Sequence, residues 1–366
     1  MESKKLLSFE EVRTQVANQA ALNNPDMTVE LAGLRITPEL NIEIPKAGTF
    51  SMTPFAKKQM GSMMGVQWDR WFDPKLVDHT VVQDELQRRF SKTQFTKKLR
   101  TTGFRSGAPG VKGCDGYLRG VLGPTYYPID DERIFSRLEN KFGHRVEGLK
   151  FMANHLSRNS HWGNGHCQHY TIVGERMNMG PIDRDHADDR VRNIYRIAEA
   201  EGMLPEDDFI YSGFHMRNSE VGFTAITIDE FTFRLVCLNG MMIKTGAKHL
   251  MYRQHRPIED KELDKQFDDV FAKIPVRWEQ TRQTLAGLQG SDVSEPERIL
   301  TEELKKLGAS KKFAEATVKA FEEEPLKTRY GMLQAITRAA QGIEDMDKRY
   351  EMELLAGQFM QRAARS

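Results

Sequence analysis

The chain has 366 residues, 39% hydrophobic and 29% charged, with a formal net charge of +1. That balance excludes wholesale disorder, and no apolar run reaches the ~18 residues a spanning helix needs. Three widely spaced cysteines (Cys114, Cys167, Cys237) exclude a disulfide framework and fit a reducing compartment. The opening MESKKLLSFEEV carries no signal-peptide apolar core, so the expected location is the cytoplasm, with no membrane partner.

Residues 9–22 repeat Phe9, Val12, Val16 and Ala20 at helical spacing, and Asn23-Asn24-Pro25-Asp26 ends that helix. Short strands are expected at 27–31 and 40–44, which completes an N-terminal unit over 1–50. Thr53-Pro54 reads as an N-cap with proline in the first turn, opening a helix to about Met64. Trp68, Trp71 and Phe72 read as packing aromatics. A second helix covers Leu76–Phe90, where Arg88 and Arg89 suit its C-terminal dipole.

The next stretch is strongly basic. Between Arg88 and Arg119 lie Arg88, Arg89, Lys92, Lys97, Lys98, Arg100, Arg105, Lys112 and Arg119. These nine cations meet one acid, Asp115, so the segment carries +8 in a chain of net +1. Phe95, Phe104 and Tyr117 are interleaved among them. Phe95–Thr102 and Tyr117–Leu122 read as strands flanking a glycine-rich loop, FRSGAPGVKGCDG. That loop has neither the P-loop order nor the dinucleotide fingerprint. Its alternatives are a solvated surface loop and an arm that approaches phosphates closely.

Asp130-Asp131-Glu132 opens a helix to Phe142, and Val146–Leu156 and Gly165–Val173 read as strands. Five of the ten histidines fall between His144 and His169. Their spacing matches no finger, ribbon or H-E-x-x-H pattern, and on a strand Cys167 and His169 face away from His166 and Gln168. No metal site and no cofactor is therefore expected. Asp183, Asp185, Asp188 and Asp189 read as the entrance of a solvated helix.

Phe214–Ile243 is the organising stretch. Arg217-Asn218-Ser219-Glu220 precedes two strands, Phe223–Ile228 and Phe231–Leu238, and Asn239-Gly240 reads as the turn that ends them. The hairpin is expected at the centre of one antiparallel sheet, partnered by the strands before it. Arg234, inside an apolar run, then requires a carboxylate such as Glu220 or Asp229. Beyond Pro257 the pattern is helical to the end. The expected fold is α+β, a mainly antiparallel sheet with flanking helices over 51–256, followed by an all-helical C-terminal region over 257–366.

Three stretches resemble the phage- and plasmid-like domain-of-unknown-function family numbered nine-three-two. They are Tyr117–Leu138 (YLRGVLGPTYYPIDDERIFSRL), Arg217–Glu220 with the later Arg234–Gly240, and Arg329–Thr337 (RYGMLQAIT). The resemblance spans about residues 50–345 and implies a mobile-element protein associated with DNA metabolism. It implies no catalytic set. The glycine loop and His166-Cys167-Gln168-His169 depart from the family's pattern.

The leading expectation is a nucleic-acid-binding protein, for single-stranded DNA in replication or recombination, with stacking aromatics beside a basic track. Its carriers are the nine cations with Phe95, Phe104 and Tyr117. One alternative is a metal-dependent enzyme acting on nucleic acid or nucleotide, through His161, His166, His169 and the Asp183–Asp189 carboxylates. Another is a non-catalytic homo-oligomer. No catalytic residue is assigned, and the Arg217–Glu220 cluster is expected to be structural.

Overall fold

Ser8 fixes where the first helix begins. Its hydroxyl accepts from the Glu11 amide, and its own amide donates to the Glu11 carboxylate at 2.7 Å, closing a capping box on α1 (Phe9–Ala20). In this computed structural model the described residues are 6–67, 78–104, 110–143, 149–152, 167–181, 207–234, 239–243, 249–323 and 325–365. The expected aromatic cluster at 68–72, most of the histidine-rich segment, the Asp183–Asp189 set, Arg105 and Cys237 lie outside them.

The chain is α+β, with two sheets rather than the single sheet expected. The first is antiparallel and runs β1 (Leu6–Ser8), β8 (Lys150–Met152), β9 (Gln168–Pro181), β10 (Asp207–Asn218), β11 (Ile226–Arg234), β12 (Asn239–Ile243). A short β13 (Met251–Arg253) pairs with the other end of β11. The second runs β2 (Met27–Glu30), β6 (Thr96–Gly103), β7 (Gly116–Leu122), β5 (Gly48–Met52), β4 (Ile42–Ile44), β3 (Arg35–Ile36). Its β5–β7 pair is parallel and the rest antiparallel. The strands expected at 95–102 and 117–122 thus join the N-terminal strands, not the later hairpin.

That hairpin is also displaced from its expected register. β10 and β11 form it, turning through 219–225, where Phe223 is exposed. Asp229-Glu230 reads as an interruption in the sequence, yet both side chains are buried and bonded, so β11 runs straight through them. Asn239-Gly240 is no turn. Those residues open β12, opposite Arg234 and Phe233.

Each sheet buries one apolar face. α2 (Pro54–Met64) and α3 (His79–Ser91) cover the second sheet through Met60 and Leu86 against Phe50, Leu99 and Leu118. Thr53 caps α2 as its sequence implies, accepting from the Ala56 amide at 3.2 Å. The first sheet packs against α1, α4 (Asp131–Phe142) and the first half of α5 (Asp260–Gln289), through Phe135, Tyr170, Phe214, Ile228 and Phe267. The end of α5 enters a third core with α6 (Pro296–Lys306), α7 (Lys311–Glu323), α8 (Arg329–Gln341) and α9 (Met346–Ala363). Ser310 caps α7, and Tyr330, Leu333, Ile336, Thr337 and Ala340 form the buried face of α8. No helix among the described residues is long and apolar enough to cross a membrane.

Candidate functional site

The basic segment does not stay together as a surface. Arg100 on β6 is 4% exposed, donating to Asp26 and to both oxygens of Asp130 at 2.7–2.8 Å. Arg119 on β7 is equally buried and donates to Glu220 at 2.7 Å. These two guanidiniums are internal ion-pair partners, which corrects their reading as phosphate contacts: three carboxylates hold them out of water. Arg88 and Arg89 both answer Glu85, and Lys98 donates to the Tyr126 carbonyl. Lys92 and Lys112 are exposed and Lys97 is half-buried. Phe95 is 65% exposed, whereas Phe104 and Tyr117 are half-buried and meet edge to face at 5.0 Å.

Asn218, Ser219 and Glu220 link the end of β10 to β7 and to the start of α4. Asn218 donates to the Ile129 carbonyl and the Asp131 carboxylate, Glu220 accepts from the Asp131 amide, and the Tyr126 hydroxyl donates to the Ser219 carbonyl. Two of the resembling stretches, around 126–131 and 217–220, are therefore one contact. Glu220 is held below the usual carboxylate range by Arg119 and Arg100 despite its burial, whereas burial with Glu220 and Asp130 pushes Asp131 up to about 8. Arg234 lies in β11, and its side chain is outside what the structure describes; of the two carboxylates expected for it, Glu220 holds Arg119, and Asp229 binds His249 and Tyr350.

A second polar centre lies on the other face of the first sheet, around His169 and His215. In β9, β10 and β11, Tyr170, Ile172, Phe214, Met216, Ile226 and Ile228 face the core. Strand alternation therefore sends the intervening residues to the opposite face. Register sets them in two rows, His169–Arg217–Thr227 and Thr171–His215–Asp229. α9 covers these rows. Asp345 caps that helix by accepting from the Lys348 amide, and one turn brings Asp347 and Tyr350 to the same face.

The bonds are short and continuous. His169 Nε2 is 3.1 Å from Asp347 Oδ1, and His169 Nδ1 is 3.1 Å from His215 Nε2. His215 Nδ1 is 2.7 Å from the Thr171 hydroxyl. The Tyr350 ring stacks on His215 at 5.1 Å and lies beneath the Arg217 guanidinium at 4.9 Å. The Tyr350 hydroxyl donates to Asp229, which His249 also meets at 2.8 Å. His169, His215, Thr171 and Asp229 are all at most 1% exposed. Burial, with His169 and Arg217 nearby, holds His215 well below the usual imidazole range.

Cys167 stands at the head of β9 on the same face, its thiol within 4.8 Å of both His169 and Asp347 ligand atoms. Strand alternation predicts Cys167 and His169 on one face, and α9, remote in sequence, brings a carboxylate to them. A cysteine nucleophile is disfavoured here. Both ring nitrogens of His169 are already engaged, by Asp347 and His215, and burial pushes the Cys167 thiol well above its ordinary value. The one legible signal is a polar residue at every second position of three apolar strands, in HYT, HMR and TID. Comparisons of the chain with protein-family models, with curated proteins and with solved structures found no match.

Proposed function

We propose that the chain binds single-stranded nucleic acid at the corner where α3 passes into β6, serving replication or recombination within the DNA metabolism that the motif resemblance implies. The observation that carries this reading is Phe95, whose ring is 65% exposed on a fixed backbone. Its carbonyl accepts from the Leu31 amide at 3.0 Å, so the ring is presented from ordered chain. Lys92 precedes it and Lys97 follows it, with Arg88 one turn back on α3. A stacking face beside point cations suits sequence-tolerant binding, because every base has a π-face and every nucleotide a phosphate. Arg100 and Arg119 contribute by holding the sheets together, not by touching the ligand.

The test is an anisotropy titration with labelled single-stranded DNA at several salt concentrations. Phe95→Ala is expected to weaken binding about tenfold, in line with ~1–3 kcal/mol per stacked base. Lys92→Glu with Lys97→Glu is expected to weaken it further. Absence of binding at low salt, or equal affinity in both variants, would overturn the reading.

A further inference from the structure

We infer that Cys167, His169 and Asp347 form a site for a four-coordinate divalent transition ion, Zn2+ being the natural occupant, with one position left for water or another exchangeable ligand. The three donors are a thiolate, an imidazole and a carboxylate, the mixed N/S/O set that Zn2+ accepts. Their ligand atoms all lie within 4.8 Å of one another. Bonds of about 2.0 Å at tetrahedral angles put neighbouring N and O ligands about 3.3 Å apart. His169 Nε2 and Asp347 Oδ1 already stand 3.1 Å apart.

The surroundings supply an independent observation. His169 presents Nδ1 to His215 Nε2, and His215 presents Nδ1 to the Thr171 hydroxyl. With both rings neutral, this chain runs in either of two directions. In one, Thr171 donates to His215, His215 to His169, and His169 Nε2–H to Asp347. In the other, His169 Nδ1–H donates to His215 and His215 Nδ1–H to Thr171, which turns the Nε2 lone pair toward the carboxylate. That arrangement is repulsive unless a cation lies between them. It is also the arrangement a metal-bound imidazole needs, with its second nitrogen held by an outer partner.

Binding requires Cys167 as the thiolate, its proton passing to solvent. Thiolate and carboxylate together cancel the divalent charge. Arg217 lies 3.8 Å from the Asp347 oxygen and competes for it, but Thr224 at 2.7 Å and the Tyr350 ring hold that guanidinium to one side. One ligand lies in β9, one immediately before it, and the third in α9, 178 residues further on than His169, so the ion would fasten the helical region to the sheet. The site shares no residue with the α3–β6 corner, and either assignment stands or falls alone.

The experiment uses the full chain, stripped with a chelator and titrated with Zn2+ against a chromophoric competitor, and separately with Co2+. One equivalent of Zn2+ is expected. Co2+ should give the intense visible bands of four-coordinate geometry and a near-ultraviolet thiolate band that Cys167→Ser abolishes. Asp347 is partly exposed at the start of a helix, so Asp347→Asn should keep the native circular dichroism while weakening Zn2+ at least tenfold. Less than about a tenth of an equivalent, six-coordinate Co2+ bands, or an equivalent retained at unchanged affinity in both variants would overturn the assignment.

Discussion

Asn218 donates its side-chain amide to the Asp131 carboxylate at 2.7 Å, tying the end of β10 to the first turn of α4 across 87 residues of sequence. Around that bond lie Arg100, Arg119 and Tyr170, all buried, with Glu220 and Asp130 half-buried beside them. The two sheets meet through charge at this point.

Glu220→Ala should therefore be severe. It leaves the Arg119 guanidinium buried without its carboxylate and deprives Arg100 of a compensating charge. Breaking one side of a buried pair costs about 3–5 kcal/mol. Urea unfolding should show that loss, and Arg119→Met with Glu220→Leu should cost less than its two single changes added. Simple additivity would show that the pair is not coupled.

Asp131 gives the stability a pH dependence with a definite sign. Burial first, then Glu220 and Asp130, raise it from 3.8 to about 8, against the bonds from Asn218 and Tyr170. The folded chain thus holds this proton more tightly than the unfolded chain. Its contribution is complete below pH 3.8 and is lost as pH rises to about 8. Over that window the native chain should lose up to about 1.4 kcal/mol per pH unit more than Asp131→Asn. Parallel urea midpoints for the two proteins between mildly acidic and mildly alkaline buffer would contradict this.

Burial of Arg100 and Arg119 also changes the salt dependence to expect. Nine phosphate contacts would give a slope of log affinity on log salt of about −6 for a single strand. The three cations at the α3–β6 corner, Arg88, Lys92 and Lys97, would give about −2. A slope near the steeper value would move the interface away from that corner.

Tyr350→Phe removes one donor from Asp229, which is wholly buried, and leaves His249 as its partner. An under-satisfied buried carboxylate costs about 1–3 kcal/mol. Thermal or urea unfolding should register the change, and an unaltered midpoint would mean that Asp229 draws little from α9.

Much of the local structure is legible in the chain alone. Thr53 and Ser310 announce their helices, because a cap depends only on residues three or four positions apart. The apolar stripe on α8 is equally local. The failures share one cause. Asp229-Glu230 looks like a break because its partners, His249, Tyr350 and Thr281, lie 20 to 121 residues away. Arg100 and Arg119 look like surface charge because their carboxylates lie up to 101 residues distant.

By itself the sequence determined the α+β class and the place of many of its helices and strands, since periodicity and capping act over one or two turns. Only the tertiary structure decided that there are two sheets, that four carboxylates and two arginines join them, and that α9 lays Asp347 and Tyr350 over the histidines of β9 and β10. Those outcomes rest on burying charge against charge. Composition records the groups that will need partners, but only the packed chain determines which of them meet.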